Sequence, residues 1–257
     1  MNVLTIIVLS IFLLFTFIGY KRGLIKSVFK LILSVVAIVL AYLLTPLVSG
    51  FLYEKTSIDD AIGKKVYSII EEIAENQVKE ELEETFQEVD PDLVEELTDL
   101  ALSVEPSRST QIDIIRKMKL PKFMTDAIIS NNNDEMREEL GAEDFYKYLA
   151  YYISYMVTNA IAFVVTFVIM LVIANLIYFA AGIVSKLPIV GGIDKLGGII
   201  FGLAEALLIT WVIFVVATIF VNTSFGANIH EQIDESAILS FLDKINILNS
   251  VVIKLVK

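Results

Sequence analysis

Two long apolar runs stand side by side near the start of the chain and constrain its fold more than any other feature. They cover residues 3–20 and 31–52, and neither contains a charged side chain. A helix needs roughly 20 apolar residues to cross a hydrocarbon core about 30 Å thick, so both runs are long enough or nearly so. Together they predict a transmembrane hairpin.

Two further apolar runs follow a long polar interval. Residues 148–185 carry no charged side chain, and residues 196–229 carry only Glu205. The chain is 56% hydrophobic, above the roughly 45–50% of soluble domains, and its apolar residues are clustered. We therefore expect an all-α integral membrane protein with four transmembrane helices, an extramembrane helical domain and an amphipathic C-terminal helix.

The same pattern divides the chain into four parts. Residues 1–52 are predicted to form the transmembrane hairpin, and residues 53–147 an acidic extracytoplasmic domain. Residues 148–221 are predicted to form a second transmembrane pair joined by a glycine-rich loop. Residues 222–257 are the amphipathic tail.

Charges in the short loops predict the orientation. The loop between the first two runs contains four bases and no acid, namely Lys21, Arg22, Lys26 and Lys30. The second short loop has Lys186 and Lys195 against Asp194. Basic short loops remain on the cytoplasmic side of the plasma membrane, so both termini and residues 53–147 are predicted to be extracytoplasmic. Because the first base follows the first run, we interpret that run as a retained helix rather than a cleaved signal peptide.

The acidic domain has the signals of several short helices. It contains 25 acids and 11 bases, although the whole chain has a net charge of -11. Asp90 before Pro91 predicts a helix start, because the carboxylate can accept free amide hydrogens and proline suits the first turn. The run Glu80–Glu84 is interpreted as a solvated helix face, with a cation or basic partner as the alternative. The acidity argues against nucleic acid and anionic lipid as partners of this domain.

Tyrosines gather where the acidic domain returns to the membrane. They are Tyr146, Tyr148, Tyr151, Tyr152 and Tyr155. Tyrosine rings favour the headgroup level, which predicts an interfacial belt. Because the charge-free run here is longer than a bilayer requires, we expect the third helix to project outward into the acidic domain and to end inside near Gly182.

Small residues recur at every fourth position of the third and fourth spans. The third span has the row Ser154, Thr158, Ala162, Thr166 and Ala174. The fourth has Gly198, Gly202 and Ala206, the G-x-x-x-G arrangement that brings helix backbones together in lipid. We expect these rows to pack against each other within the chain, with dimerisation as the alternative.

Three polar side chains are predicted to lie inside the membrane, namely Asn159, Asn175 and Glu205. Glu205 lies about 15 Å along a helix from Lys195 and so near mid-membrane. A carboxyl group there is costly unless it is neutral, paired or hydrated, which makes it a candidate functional residue. It marks an ion or proton path, or it is a protonated acid hydrogen-bonded to Asn175 or a nearby hydroxyl.

Motifs of known enzymes are absent from the sequence, so we expect a non-enzymatic protein with no catalytic, cofactor-binding or metal-binding residues. The chain has no cysteine, which removes thiol chemistry. Its one histidine, His230, stands beside Glu231 and near Asp234, and a charge cluster at a helix start explains it more simply than a metal site. From Ile229 onward, apolar residues recur on one helical face, so the tail is predicted to dock on the acidic domain or to lie on the outer leaflet.

Two motifs resemble the colicin V production protein family of bacterial inner-membrane proteins. The first is Gly19-Tyr20-Lys21-Arg22-Gly23-Leu24 in the hairpin. The second combines Gly192-Ile193-Asp194-Lys195 with Gly198-Ile199-Ile200-Phe201-Gly202-Leu203. In this comparison the acidic domain is a long insertion between spans two and three. The resemblance singles out the motif residues Gly19, Arg22, Gly23, Asp194, Lys195, Gly198 and Gly202.

The resemblance implies a non-enzymatic scaffold or accessory protein for production or export of a peptide toxin, or for upkeep of the cell envelope. The alternative is a small transporter or channel component that uses Glu205. Expected partners are the lipid bilayer and proteins of secretion or envelope systems, without nucleic acid. A homo-oligomer and a re-entrant loop at residues 186–195 stay open.

Overall fold

The computed structural model describes residues 2–83, 90–118, 120–180, 191–221 and 223–250. Over these ranges it contains helices and connecting turns and no strand, as predicted. Three predicted features fall partly or wholly outside them. These are the inner end of the third span, the first half of the proposed re-entrant loop and the last residues of the tail.

The described residues form eleven helices. They are α1 (Val3–Arg22), α2 (Leu24–Lys55), α3 (Ile58–Glu83), α4 (Pro91–Ser103), α5 (Arg108–Lys117), α6 (Lys122–Asn131), α7 (Asp134–Leu140), α8 (Phe145–Ala180), α9 (Gly191–Ile219), α10 (Ser224–Glu235) and α11 (Ala237–Lys244). Four of them, α1, α2, α8 and α9, are long and apolar enough to cross a membrane. The protein is therefore an all-α membrane protein with four candidate spans.

The chain divides into two compact units. The first combines residues up to 54 with residues from 159 onward, and we call it the membrane unit. The second comprises Lys55–Thr158, and we call it the acidic unit. Helix α8 contributes its first part to the acidic unit and the rest to the membrane unit.

Helices α1 and α2 are separated by a single residue. The basic segment was predicted to be a loop, but α1 continues to Arg22 and α2 begins at Leu24, so Lys26 and Lys30 are helical. Gly23 makes the break with φ +80°, a conformation that glycine adopts without the steric cost of a Cβ atom. The prediction was wrong because a tight turn between helices needs only one such residue.

Helices α1 and α9 pack as an antiparallel pair. Gly198 lies against Gly19, and Gly202 lies against the backbone of Phe15, so increasing numbers in α9 meet decreasing numbers in α1. The expectation that this glycine row packs on the third span was wrong. Gly19 explains the difference, because it leaves α1 with a bare backbone surface that accepts a second bare backbone.

The small-residue row on α8 is buried, as its composition predicts. Each of Ser154, Thr158, Ala162, Thr166 and Ala174 is less than 10% exposed. Helix α2 has a similar buried row that the sequence analysis overlooked, consisting of Ser34, Ala37, Ala41, Thr45 and Ser49. Burial of small residues on long apolar helices is typical of spans that pack closely in lipid.

The acidic unit has an apolar core of its own. Ile115, Met124 and Ile128 are fully buried in it. The predicted helix start at Pro91 is confirmed, and the Asp90 carboxylate accepts a hydrogen bond of 3.0 Å from the Asp92 amide. The charged run that ends α3 extends to Glu83 in a helix, while residue 84 lies outside the described ranges.

The predicted tyrosine belt is wrong in part. Helix α8 begins at Phe145, which confirms that the third helix continues into the acidic domain, but Tyr148 and Tyr152 are buried in the acidic unit. The Tyr148 hydroxyl donates to the Ile128 carbonyl at 2.8 Å, and Asn131 donates to the Tyr152 hydroxyl at 3.0 Å. Both hydroxyls therefore have protein partners, which explains why core packing replaces the headgroup position.

The tail forms two helices, not the single one predicted. Ser236 separates α10 from α11 and caps α11, with its hydroxyl 3.5 Å from the Leu239 amide. The tail belongs to the membrane unit, and its described contacts are with α1 and α9. This replaces the expected docking on the acidic domain.

An apolar cluster explains where the tail docks. Leu4 and Val8 of α1, Phe214 of α9, and Ile233 and Leu239 of the tail are buried together. Hydrogen bonds add to this cluster. The Gln232 side chain accepts from the Leu4 amide at 2.9 Å, and the Trp211 indole donates to the Leu242 carbonyl at 3.0 Å. The N-terminus and the tail thus lie at the same end of the α1–α9 pair.

Candidate functional site

The motif residues singled out by the sequence meet at the junction between α1 and α2. We call this the junction cluster, and it comprises Gly19, Arg22, Gly23, Asp194, Gly198, Gly202 and Glu205. All belong to α1, α9 or the glycine between α1 and α2. The sequence therefore predicted the members of the site, and the structure shows how they are arranged.

Glycine allows the two helix backbones to touch. A Cβ atom on Gly19 would lie 3.0 Å from the Gly202 Cα, and one on Gly198 would lie 3.0 Å from the Gly23 carbonyl carbon. The Cβ atom on Gly19 would also collide with the Gly198 carbonyl oxygen, and the one on Gly198 would collide with the Gly19 carbonyl oxygen. Real Cβ atoms do not approach backbone this closely, so a larger residue at either position would force the helices apart.

Asp194 holds the start of α2 from across the interface. Its Oδ1 atom accepts a hydrogen bond of 2.9 Å from the Leu24 amide, one of the first amides of α2. The first amides of a helix have no partner within the helix, so a carboxylate is a favourable cap there. The carboxylate occupies the space that a Cβ atom of Gly23 would fill, which explains glycine at that position.

Arg22 and Glu205 form an ion pair beside the glycines. The Arg22 Nη1 atom lies 2.9 Å from the Glu205 Oε2 atom, and the Glu205 side chain is only 8% exposed. Side chains lean toward the N-terminus of their own helix. Because α1 and α9 are antiparallel, the two side chains lean toward each other, and the long arginine reaches an acid that is about ten residues farther along the pair.

This pair corrects the expected environment of Glu205. Asn175 or a hydroxyl was expected beside the acid, whereas the acid pairs with Arg22. Asn175 instead accepts a hydrogen bond from the Lys30 ammonium and donates one of 2.7 Å to the Leu171 carbonyl. The two polar groups proposed for one path therefore belong to two separate pairs.

Aromatic rings accompany the remaining bases. The Lys195 ammonium lies 5.2 Å from the centre of the Tyr20 ring, and the Lys30 ammonium lies 5.9 Å from that of Tyr178. Both distances suit cation–π attraction. Lys195, the remaining family-motif residue, thus contacts α1 but makes no ion pair within the described part of the chain.

Two other candidates lie outside the junction cluster. Asn159 is fully buried in α8. His230 is buried in the second half of α10, so the interpretation as a charge cluster at a helix start was wrong. Burial lowers the pKa of His230 to about 4, because charging the imidazole there would cost solvation.

No metal centre is visible among the described residues, since no group of three or more His, Cys, Asp or Glu side chains converges there. The chemistry available at the junction cluster is ion pairing, helix capping and backbone contact. These interactions hold α1, the start of α2 and α9 in a fixed arrangement.

The partner of Glu205 was not predicted. Arg22 and Glu205 are 183 residues apart in sequence, and no local pattern connects them. One signal was available, because Glu205 is the single acid of its apolar run and Arg22 is one of the two bases that directly follow the first run. An acid in a membrane needs a base, and the glycine motifs already pointed to a close approach of their helices.

Comparison with known proteins gives a family match. The family model described as "Colicin V production protein" matches residues 4–71 and 140–246. These segments contain all four candidate spans except Val3 and every residue of the junction cluster, while residues 72–139 lie between them. No curated protein and no solved structure showed significant similarity to the chain.

Proposed function

Because the chain belongs to the colicin V production protein family, we propose that it is a non-enzymatic scaffold or accessory protein of the bacterial plasma membrane. In this proposal it supports production or export of a peptide toxin, or maintenance of the cell envelope. The acidic unit would recruit protein partners, and the membrane unit would hold that unit at the bilayer.

The ion pair between Arg22 and Glu205 supports a scaffold most directly. A transport path would need an acid that can exchange ions or protons, whereas Glu205 is buried against a base at 2.9 Å. Asn175, the other group of the alternative path, is engaged by Lys30 and the Leu171 carbonyl. These pairings favour a static role over the alternative of a small transporter or channel component.

The surface of the acidic unit supports partner recruitment. Helix α3 exposes Glu71, Glu72 and Glu75, and helix α4 exposes Glu95 and Glu96. Exposed acids of one sign attract basic partner segments and raise association rates. The proposed partner surface is therefore the acidic face of α3 and α4.

Crosslinking in cells tests this recruitment. We expect the variant Glu71→Gln/Glu72→Gln/Glu75→Gln to recover partner proteins several-fold less than the wild type. A matched control removes exposed acids of the tail, Glu231→Gln and Glu235→Gln, and should recover them normally. Equal recovery by both variants and the wild type, with all three proteins inserted in the membrane, would contradict the proposal.

Flux measurements test the alternative. In reconstituted vesicles, Glu205→Gln should leave ion and proton leakage unchanged if the acid is structural. A large change in flux at unchanged folding would favour the transporter.

Single-cysteine labelling tests the proposed orientation, because the chain has no cysteine of its own. A cysteine at Ser27 would be buried and would resist labelling on either side of the membrane. Lys21→Cys is therefore the better probe of the junction. A membrane-impermeant reagent on intact cells should label cysteine at Ser107 and Glu235 but not at Lys21. The reverse labelling would invert the orientation.

A further inference from the structure

A groove of about 410 Å³ opens beside the junction between α1 and α2, and it is lined by residues of α1, α2 and α8. Its polar lining consists of Lys21, Arg22, Lys26, Lys30, Asn175 and Tyr178. Ile18 and Phe179 provide an apolar wall. The groove thus combines a cationic side with an apolar side.

The charges around this groove are not balanced. Five bases lie near the junction, namely Lys21, Arg22, Lys26, Lys30 and Lys195, against the acids Asp194 and Glu205. Both acids are engaged, since Glu205 pairs with Arg22 and Asp194 caps α2. Within the described part of the chain, none of the three groove lysines forms an ion pair with a carboxylate, although Glu205 lies near enough to attract Lys30.

Two of these lysines are partly withdrawn from solvent. Lys26 and Lys30 are half-buried on α2, and the Lys30 ammonium has the neutral Asn175 carbonyl as its hydrogen-bond partner. Positive charges held together in a partly buried groove repel each other and lose solvation. A bound anion would offset both effects.

The apolar wall identifies the kind of anion. Phe179 is 68% exposed at the groove, in a helix that is long and apolar enough to span a membrane. A soluble anion would leave this wall unused, whereas a phospholipid has a phosphate for the lysines and acyl chains for the wall. Basic pockets between transmembrane helices suit anionic lipid headgroups in this way.

We infer that the groove formed by Lys21, Lys26, Lys30 and the α8 residues Asn175 and Tyr178 binds the phosphate headgroup of an anionic phospholipid. This inference stands independently of the scaffold proposal, since it concerns the lipid and not a protein partner. It also differs from the expectation for the acidic domain, whose charge repels such lipids. The lipid would anchor the base-rich end of the α1–α9 pair in one leaflet.

Lipid retention by the purified full-length chain tests the inference. The protein in uncharged detergent is mixed with equal amounts of phosphatidylglycerol and phosphatidylcholine, and retained lipid is measured after gel filtration. The wild type should retain phosphatidylglycerol preferentially. Each lysine near a phosphate contributes roughly fivefold to binding, so Lys26→Gln/Lys30→Gln should weaken it by about 25-fold.

Two further variants separate binding from folding and from net charge. Lys26→Arg/Lys30→Arg keeps both charges and should retain the lipid preference. Lys64→Gln/Lys65→Gln removes two exposed bases of α3 in the acidic unit and should also retain it. Equal retention of the two lipids by the wild type would overturn the inference, as would equal losses in the Lys26/Lys30 and Lys64/Lys65 glutamine variants.

A competition arm distinguishes a lipid from a soluble phosphate. Millimolar inorganic phosphate should leave the retained phosphatidylglycerol in place, because it cannot replace the contacts of the acyl chains with Phe179. Displacement by inorganic phosphate would reassign the groove to a soluble phosphate ligand and overturn the lipid assignment.

Discussion

The two compact units each contain an arginine–glutamate pair of nearly the same length in a different setting. In the membrane unit, Arg22 lies 2.9 Å from Glu205. In the acidic unit, Arg137 lies 2.8 Å from Glu105. The Glu205 side chain is 8% exposed, whereas that of Glu105 is 46% exposed.

The second pair belongs to a hydrogen-bond network. Glu105 also accepts from Gln111 and from the Phe145 amide at the start of α8, each at 3.0 Å. Arg137 donates to Asn132 at 3.0 Å. Removing one member leaves the others with partners or with water.

The first pair depends on a single contact. The described structure gives Arg22 and Glu205 one hydrogen bond, which is to each other. The same ion-pair chemistry therefore has different consequences in the two units. In the water-facing network, several hydrogen bonds share the stabilisation of each charged group. A pair among apolar helices has fewer alternative partners, so loss of one member costs more stability.

The two pairs also differ in their relation to the family match. Arg22 and Glu205 lie inside the matched segments, while Glu105 and Arg137 lie in residues 72–139 between them. The membrane pair therefore belongs to the part of the chain that the family defines. The Glu105–Arg137 pair lies between the matched segments, although the Phe145 amide of its network lies within one of them.

The largest expected effect comes from breaking the membrane pair on one side. Arg22→Leu should lower the free energy of unfolding by about 3–5 kcal/mol, because it leaves the buried Glu205 carboxylate without a partner. Glu205→Leu should cost less, because the Arg22 side chain that it leaves is 30% exposed. The double variant should be destabilised less than Arg22→Leu alone. Unfolding by sodium dodecyl sulfate in mixed micelles measures all three, and additive losses below about 1 kcal/mol each would remove the contrast between the pairs.

Separating the two helices is the next largest change. Gly198→Ala places a Cβ atom against the backbone of Gly19, and we expect it to cost about 1–3 kcal/mol through overpacking. Gly192→Ala is the matched control on the same helix, since no atom lies within 4 Å of its added carbon. The same unfolding assay applies, and equal effects at the two positions would contradict the close approach of α1 and α9.

The network in the acidic unit should lose less when one side is removed. Glu105→Ala frees Arg137, Gln111 and the Phe145 amide at a partly exposed site, and we expect a loss of about 1–2 kcal/mol. The helical circular dichroism signal of the full chain during urea unfolding follows this unit. A loss as large as that of Arg22→Leu would show that exposure does not explain the difference between the pairs.

Acid should weaken the membrane unit through its tail. Burial lowers the pKa of His230 to about 4, below its ordinary value of 6.5, so the unfolded state takes up a proton first as the pH falls. Stability is then present above pH 6.5 and is lost as the pH falls from 6.5 toward 4. The slope is at most about 1.4 kcal/mol per pH unit.

His230→Gln provides the control for this pH dependence, because the chain has no other histidine. The variant should have a flatter stability profile between pH 6.5 and 4 than the wild type. Trp211 fluorescence reports the docked tail, since its indole contacts the Leu242 carbonyl. Identical profiles for the two proteins would assign the acid sensitivity to carboxylates.

The smallest effect is expected at an ordinary surface pair. Lys79 and Glu83 lie 3.9 Å apart on α3, and both side chains are more than half exposed. Lys79→Ala should change the free energy of unfolding by only about 0.3–0.5 kcal/mol. This variant sets the lower end of the scale on which the two arginine–glutamate pairs are compared.

Much of the fold could be predicted from local patterns. Apolar runs indicated four spans, and the Asp90-Pro91 pair indicated the start of α4, because hydropathy and helix capping depend on neighbouring residues. The tyrosines of α8 could not be placed in the same way. Whether a tyrosine lies at headgroups or in a core depends on partners such as the Ile128 carbonyl, which only the folded acidic unit provides.

The candidate site was likewise predictable only in part. The glycine motifs and the lone acid Glu205 were visible in the sequence, since each departs from an otherwise apolar helix. Their pairing was not visible, and the expectation of contact with the third span was wrong. Glycine indicates that some backbone approaches closely, but any helix with a bare surface can be the partner.

It follows from the amino-acid sequence alone that this chain is a helical membrane protein with a costly acid in its fourth span, because length and hydropathy decide which segments can cross a bilayer. The tertiary structure alone decided that Arg22 neutralises this acid. Antiparallel contact between Gly19 and Gly198 brings together Arg22 and Glu205, which are 183 residues apart in sequence. No local sequence pattern specifies a contact across such a separation.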